Sequence, residues 1–202
     1  MAVRRLSCLA VWAARPGSAR TWVFALAASL ALAGCGGGDD GGTVEGAPPD
    51  APDTIELRSG AFEEGGTIPV LYSCDGADLS PPISWSRVPK GARSLALLVE
   101  DPDASGGKTF VHWSVFGVRP DVDRIDEGSL PARALHGKNS FGKEFYTGPC
   151  PPDGDQPHRY VFALYALRAR PDLEQGASPG DVRSAVEENA LARGLLTGTF
   201  GR

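Results

Sequence analysis

The chain has 202 residues, with 25 acidic against 20 basic side chains and a formal net charge of −5. That balance argues against nucleic acid as a partner and against attachment to anionic lipid through surface charge, since both need clustered positive side chains. The length allows one domain of ordinary size plus appendages.

The first 34 residues do not belong to that domain. Arg4, Arg5, Arg15 and Arg20 form a basic start without an acidic residue, and Trp22 to Ala33 is a nearly unbroken apolar run. This run is short for a bilayer span of about 20 residues but suits the apolar region of a signal peptide. It ends in Leu32-Ala33-Gly34-Cys35, which resembles the cleavage box of bacterial lipoproteins. Cleavage before Cys35 would leave an N-terminal cysteine carrying lipid. Removing those four of the 20 basic residues leaves 16 against 25 acidic ones, a charge of −9 on the mature chain.

Residues 35–53 are expected to be the lipidated cysteine and a disordered tether. The stretch is Gly, Asp, Pro and Ala with only Thr43 and Val44 β-branched, too little apolar surface to fold by itself. The folded domain is expected over 54–202. Within it lie Cys74 and Cys150, candidates for one disulfide in an oxidising compartment; two buried free thiols are the other reading. Their spacing does not suggest a metal pair.

Thr54–Leu57, Thr67–Tyr72 and Ile83–Trp85 read as short strands between Gly, Pro and Asp turns. Ser94–Glu100, Phe110–Val118 and Tyr160–Leu167 are longer and strongly apolar, as central strands covered on both faces should be. One helix is expected after Ser178, with Pro179 in its first turn, Asp181 completing a Ser-x-x-Asp start and Gly194 as its stop. Its thin apolar stripe predicts a place at a sheet edge. Leu195–Phe200 reads as a closing strand. Many strands and few helices predict a β-rich single domain.

His112, His136 and His158 are the three histidines. His112 lies inside an apolar strand, and His158 opens another directly after the Gly/Pro segment Gly148–Pro157. Asp101 and Asp103 end a third strand, with Pro102 between them. Strand ends meeting at one sheet edge would bring two imidazoles and a carboxylate together as a small anion or zwitterion site. Ser140 lacks a Gly-x-Ser-x-Gly setting, and Cys150 is flanked by prolines, so no nucleophile stands out. Asp103 is expected to cap the turn after Pro102, and Arg159 to pair with a nearby carboxylate. Trp85 and Trp113 should be core aromatics, and His136 an exposed loop residue.

The same residues carry a family resemblance. Cys74-Asp75-Gly76-Ala77-Asp78-Leu79-Ser80-Pro81-Pro82-Ile83-Ser84-Trp85, Asp101-Pro102-Asp103-Ala104 and His112-Trp113 resemble the first blocks of the phosphatidylethanolamine-binding protein (PEBP) family. Asn139-Ser140-Phe141-Gly142 and Gly148-Pro149-Cys150-Pro151-Pro152 through His158-Arg159-Tyr160 resemble its second block. The pattern is most similar to the bacterial YbhB/YbcL branch, called Raf kinase inhibitor-like. The resemblance implies a mainly β fold, a large central antiparallel sheet packed on a smaller one with few peripheral helices. It implies a pocket for small anions or phospholipid head groups, with Asp101, Phe110, His112, Gly148, His158 and Tyr160 at its positions. Phe110 stands where animal members place a pocket tryptophan. Their long C-terminal helix has no counterpart in a chain ending at Arg202.

The expected function is a lipid-anchored extracytoplasmic protein that binds a small anionic or phosphoryl ligand without catalysis, cofactor or metal. Its expected partners are that ligand, the membrane through the lipid on Cys35, and a second copy of the chain, since members of this branch are often dimers. Gly36 after the lipidated cysteine favours the outer membrane. Two other readings are a Raf kinase inhibitor-like interaction protein acting on a kinase or protease, and a hydrolase using the Asp/His cluster.

Overall fold

The computed structural model describes residues 43–202. The signal peptide expected over 1–34, the lipidation site Cys35 and the tether up to Gly42 lie outside the described residues.

Among the described residues eight strands form two antiparallel sheets. β1 (Glu56–Ser59), β2 (Ile83–Ser86) and β5 (Arg124–Ile125) make the smaller sheet in the order β1-β2-β5. β3 (Ser94–Asp101), β4 (Phe110–Val118), β6 (Leu135–His136), β7 (His158–Leu167) and β8 (Ala190–Phe200) make the larger one, in the order β6-β4-β3-β7-β8. One helix, α1 (Pro179–Asn189), completes the regular elements among the described residues. The expected mainly β fold with two sheets is the fold observed.

The continuous apolar runs follow from burial on both faces. Every residue of β3 is buried. On one face Leu95, Leu97, Val99, Val115, Phe162 and Leu164 join Leu57, Ile83, Trp85 and Ile125 of the smaller sheet in the main core. On the other face Ala96, Leu98, Phe116, Ala163, Tyr165 and Leu167 receive Val182 and Val186 of α1. The order is therefore small sheet, large sheet, helix. Each large side chain removed from water in this way contributes about 1.5–3 kcal/mol before the entropy of ordering it. α1 thus covers a sheet face rather than an edge: two valines one turn apart suffice where the opposing sheet surface is wholly apolar.

Three further expectations are corrected. Thr67–Tyr72 is not a strand. Thr67 makes one isolated bridge to Thr199, and Pro69, without an N–H to extend the ladder, leads into a single 3-10 turn at Val70–Tyr72. α1 begins as expected, with the Ser178 hydroxyl accepting from Asp181 N at 3.2 Å, but it ends at Asn189, five residues before Gly194. From Ala190 the chain pairs along the whole of β7, Leu167 opposite Ala190 through His158 opposite Phe200, so the ladder displaces the last helical turn. Gly194 instead lies mid-strand, where a Cβ would come 2.5 Å from the Ile55 carbonyl oxygen.

The third correction concerns the tether, whose last ten residues are docked. Val44 is buried and exchanges two hydrogen bonds of 3.0 Å with Thr109. The Tyr165 hydroxyl and Arg193 Nη1 both donate to the Pro49 carbonyl, at 3.2 and 2.9 Å. Arg193 also pairs with Asp50 and Asp53. A segment too polar to make its own core can still be ordered on another surface, and its prolines reduce the entropy that ordering costs.

Candidate functional site

Asp101 at the end of β3, Phe110 and His112 at the start of β4, and His158 and Tyr160 at the start of β7 meet at one edge of the large sheet. With Ala104, Ser105, Phe141, Cys150, Pro151 and Pro152 they line a cavity of about 220 Å³. A β-bulge makes this convergence possible. Val99 pairs with Trp113 but Glu100 pairs with Val111, which leaves His112 as an extra residue in β4. Successive strand residues normally face opposite sides, and a bulge cancels one alternation. Trp113 therefore stays in the main core while His112 turns towards Tyr160, with ring centroids 5.2 Å apart.

Asp101, 3% exposed, uses both carboxylate oxygens within the chain. Oδ1 accepts from Asp103 N at 2.8 Å, and Oδ2 lies 2.8 Å from His158 Nδ1. The carboxylate cannot donate, so Nδ1 carries the hydrogen, and Nε2 of His158 is left for a ligand. Asp101, and not Asp103, closes the turn after Pro102. The Asp103 carboxylate is taken by Arg159, through N, Nε and Nη2 at 2.9, 2.8 and 2.6 Å, and these contacts hold its carboxyl below the usual range. Arg159 is thus the structural partner expected.

His112 is buried, and burial lowers its imidazole below the ordinary value. Nδ1 lies 2.7 Å from the Thr147 carbonyl oxygen, and the Gly148 backbone adds a weaker contact. Tyr160 is 1% exposed, and its hydroxyl has no hydrogen-bond partner of good geometry, only a weak contact to the Cys150 backbone. Burial raises its phenol, so the group remains a donor. A buried unpartnered hydroxyl costs about 1–3 kcal/mol, and one beside a cavity is a place for a ligand atom.

Gly148, expected in the pocket, does not line it. Its N–H donates to Asp78 Oδ1 at 2.6 Å, and a Cβ there would come 2.1 Å from the Tyr72 carbonyl oxygen. It seats the Pro-rich loop against the 72–78 turn. Cys74 and Cys150 form a disulfide with Cα atoms 5.5 Å apart, which fixes the same two loops together. The guanidinium of Arg202 lies over this bond, 3.3 Å from Cys74 Sγ and 3.5 Å from Cys150 Sγ, and pairs with Asp75 and Asp153. Cys150, bonded in this way, offers no thiolate nucleophile.

Two contributors were not singled out from the sequence. Phe141, half exposed, packs its ring edge on Phe110 at 4.7 Å and closes the aromatic wall. Asn139, fully buried, donates to Phe145 O and Thr147 Oγ1 and accepts from the Phe141 and Lys143 amides. It shapes the loop that brings the Thr147 carbonyl to His112. Both belong to the block Asn139-Ser140-Phe141-Gly142, so the sequence signal was present without a role attached. His136 is half-buried rather than exposed: its Nδ1 accepts from Trp113 Nε1 at 3.1 Å. It lines a separate cavity of about 250 Å³ with Trp113 and Tyr146, whose polar atoms already have partners within the chain.

A family model described as phosphatidylethanolamine-binding protein matches residues 58–201. A UPF0098 protein of Methanothermobacter thermautotrophicus is 44% identical over 153 residues, covering 73% of this chain and 99% of its own. The lipoprotein candidate LppC of Mycobacterium tuberculosis is 40% identical over 189 residues, covering 87% of this chain and 92% of its own. Among solved structures, a PEBP homologue from Chlamydia trachomatis superposes with a TM-score of 0.69 at 38% identity, covering 74% of this chain and 99% of its own. Escherichia coli YbcL, described as a member of the mammalian PEBP family, gives 0.71 at 29% identity with the same coverages. With most of its folded residues matched in sequence and in structure, the chain belongs to the phosphatidylethanolamine-binding protein family.

Proposed function

We propose that this protein binds a small anionic or phosphoryl ligand in the Asp101–His158 cavity and holds it without turnover. The observation that carries this reading is the unpartnered Tyr160 hydroxyl beside two imidazoles with ring nitrogens to spare, in a cavity of about 220 Å³. The cavity is bipolar. Asp101 supplies negative charge behind His158, while the Tyr160 hydroxyl supplies a donor to an anion. No activated nucleophile accompanies them, because Cys150 is in the disulfide and Asp101 is committed on both oxygens. Rigid walls of Pro151 and Pro152 favour holding a ligand with little loss of entropy.

The protein acts in this reading from the cell envelope, lipidated at Cys35. The likeness to LppC supports this. It spans 87% of the chain, more than residues 43–202 amount to, and so extends into the segment that carries Cys35. Titrating the purified protein with phosphate and with phosphoethanolamine while following the imidazole NMR signals tests the binding. Movement of the His112 and His158 signals that saturates at millimolar ligand is expected, and unmoved signals would refute the reading. Radiolabelled palmitate appearing in the native chain but not in Cys35→Ser tests the anchor.

A further inference from the structure

The cavity does not present hydrogen-bond donors alone, as a general anion site would. The Thr147 carbonyl can only accept, so His112 Nδ1, 2.7 Å away, carries the hydrogen. Burial keeps the ring neutral. In a neutral imidazole with Nδ1 protonated, Nε2 is a lone pair, and it is the polar atom this ring has left to offer the cavity it lines. Across a ring contact of 5.2 Å stands Tyr160, whose unpartnered hydroxyl is a donor. Asp101 accepts one hydrogen bond on each oxygen from within the chain, from Asp103 N and from His158 Nδ1. A fixed acceptor on His112 thus stands beside the Tyr160 donor, and His158 Nε2 is the other ring nitrogen left to the cavity.

An anion with oxygen lone pairs only would satisfy Tyr160 and set a lone pair against His112 Nε2. A phosphoryl group bearing a P–OH satisfies both, donating its proton to Nε2 while another oxygen accepts from Tyr160. We propose that His112 Nε2 selects phosphoryl groups that carry a P–OH, inorganic phosphate and the monoanions of phosphomonoesters, over sulfate and over phosphodiesters such as an intact phospholipid head group. The selection works by leaving a desolvated acceptor unpaired in the wrong complex, the same means by which sites built around one hydrogen bond reject analogues lacking it. This inference rests on the anion-binding reading above and assigns that site its ligand class.

The test is calorimetric titration of the purified full chain at neutral pH with three probes. Inorganic phosphate carries a P–OH; sulfate matches it in size and lacks the proton; dimethyl phosphate is a monoanion without the proton and stands for the diester source. Phosphate binding at least about tenfold tighter than both others is the expected result. Sulfate within about threefold of phosphate would overturn the selection while leaving the anion site standing. Dimethyl phosphate equal to phosphate would overturn it in favour of a lipid head group, and saturation by none of the three would remove the site and the selection together. Two variants locate the effect. Tyr160→Phe should weaken phosphate and sulfate alike and keep their ratio, whereas His112→Gln, which can turn an N–H towards the ligand, should bring the ratio near one. If His112→Gln does not fold, the three-probe comparison on the native chain and on Tyr160→Phe still decides.

Discussion

His112 and Trp113, consecutive in the chain, point to the same side of the large sheet. Trp113 donates through Nε1 to His136 and fills the core, while His112 faces Tyr160 across the ligand cavity. The bulge opposite Val99 and Glu100 is the cause. The same device leaves Glu100 and Val111 as a cross-strand pair, and Glu100 meets Arg183 of α1. One inserted residue therefore separates the binding edge of the sheet from the surface that seats the helix.

Tyr160→Phe should separate stability from binding. The hydroxyl it removes is buried without a partner, so the unliganded protein is expected to gain about 1 kcal/mol, read as a higher urea midpoint at unchanged slope. Phosphate affinity should fall in the same variant. A loss of stability would mean that the hydroxyl has a good partner within the chain.

Reducing the Cys74–Cys150 disulfide should cost both. The bond closes a loop with a sequence separation of 76 residues, for which the chain-entropy account gives about 4 kcal/mol. Cys150 also lines the cavity, so loosening it frees the Pro151–Pro152 wall. Urea denaturation and phosphate titration, each with and without dithiothreitol, should show a large fall in midpoint together with weaker binding. Unchanged binding in the folded reduced protein would show that the wall holds without the bond.

Arg183→Ala should be costly at neutral pH and milder in acid. Arg183 Nη1 lies 3.0 Å from Glu100 Oε1, both groups are buried, and Glu100 Oε2 has no partner. Burial raises the Glu100 carboxyl above its ordinary 4.5, against the opposing pull of Arg183. A carboxyl with a raised folded pKa binds its proton more tightly in the native state. Its contribution to stability is therefore greatest below about 4.5 and is lost as pH rises through the folded value. Without Arg183 the charged form stands alone, so the expected loss is about 3–5 kcal/mol at pH 7 and shrinks towards pH 4. Equal losses at the two pH values, measured by urea denaturation, would refute the coupling.

A chain beginning at Thr54 should be less stable than one beginning at Thr43. It lacks buried Val44, its two hydrogen bonds to Thr109, and the Pro49 carbonyl that Tyr165 and Arg193 share. Burying the valine alone is worth about 1.5–3 kcal/mol, so a difference of several degrees in thermal midpoint is expected. Identical midpoints would mean that the docked segment adds nothing to stability.

The sequence by itself determined the strands whose burial is two-sided. β4 was readable at both ends, and β3 and β7 within one or two residues, because their apolar runs are unbroken. It also determined the helix start, through Ser178 and Asp181, and the pairing of Arg159 with a carboxylate. These signals are local: side-chain period, cap chemistry and turn residues act within a few positions. That Asp101, His112 and His158 meet at one sheet edge was legible because strand ends carrying polar residues after Gly/Pro turns are uncommon, whereas Phe110 and Tyr160 came only with the family resemblance.

Tertiary structure decided what local preference leaves equal. Gly194 could end a helix or sit within a strand, and the β7 ladder selected the strand. Residues 44–53 could not fold alone, and the surface offered by Thr109, Tyr165 and Arg193 ordered them. Gly148 looked like a ligand contact and became a close approach to Tyr72. Above all, whether His112 faced the cavity or the helix side depended on register with β3, since a shift of one residue reverses every side chain beyond it. No window of β4 sequence contains that information. It resides in the pairing of Glu100 with Val111, which exists only when both strands are in place.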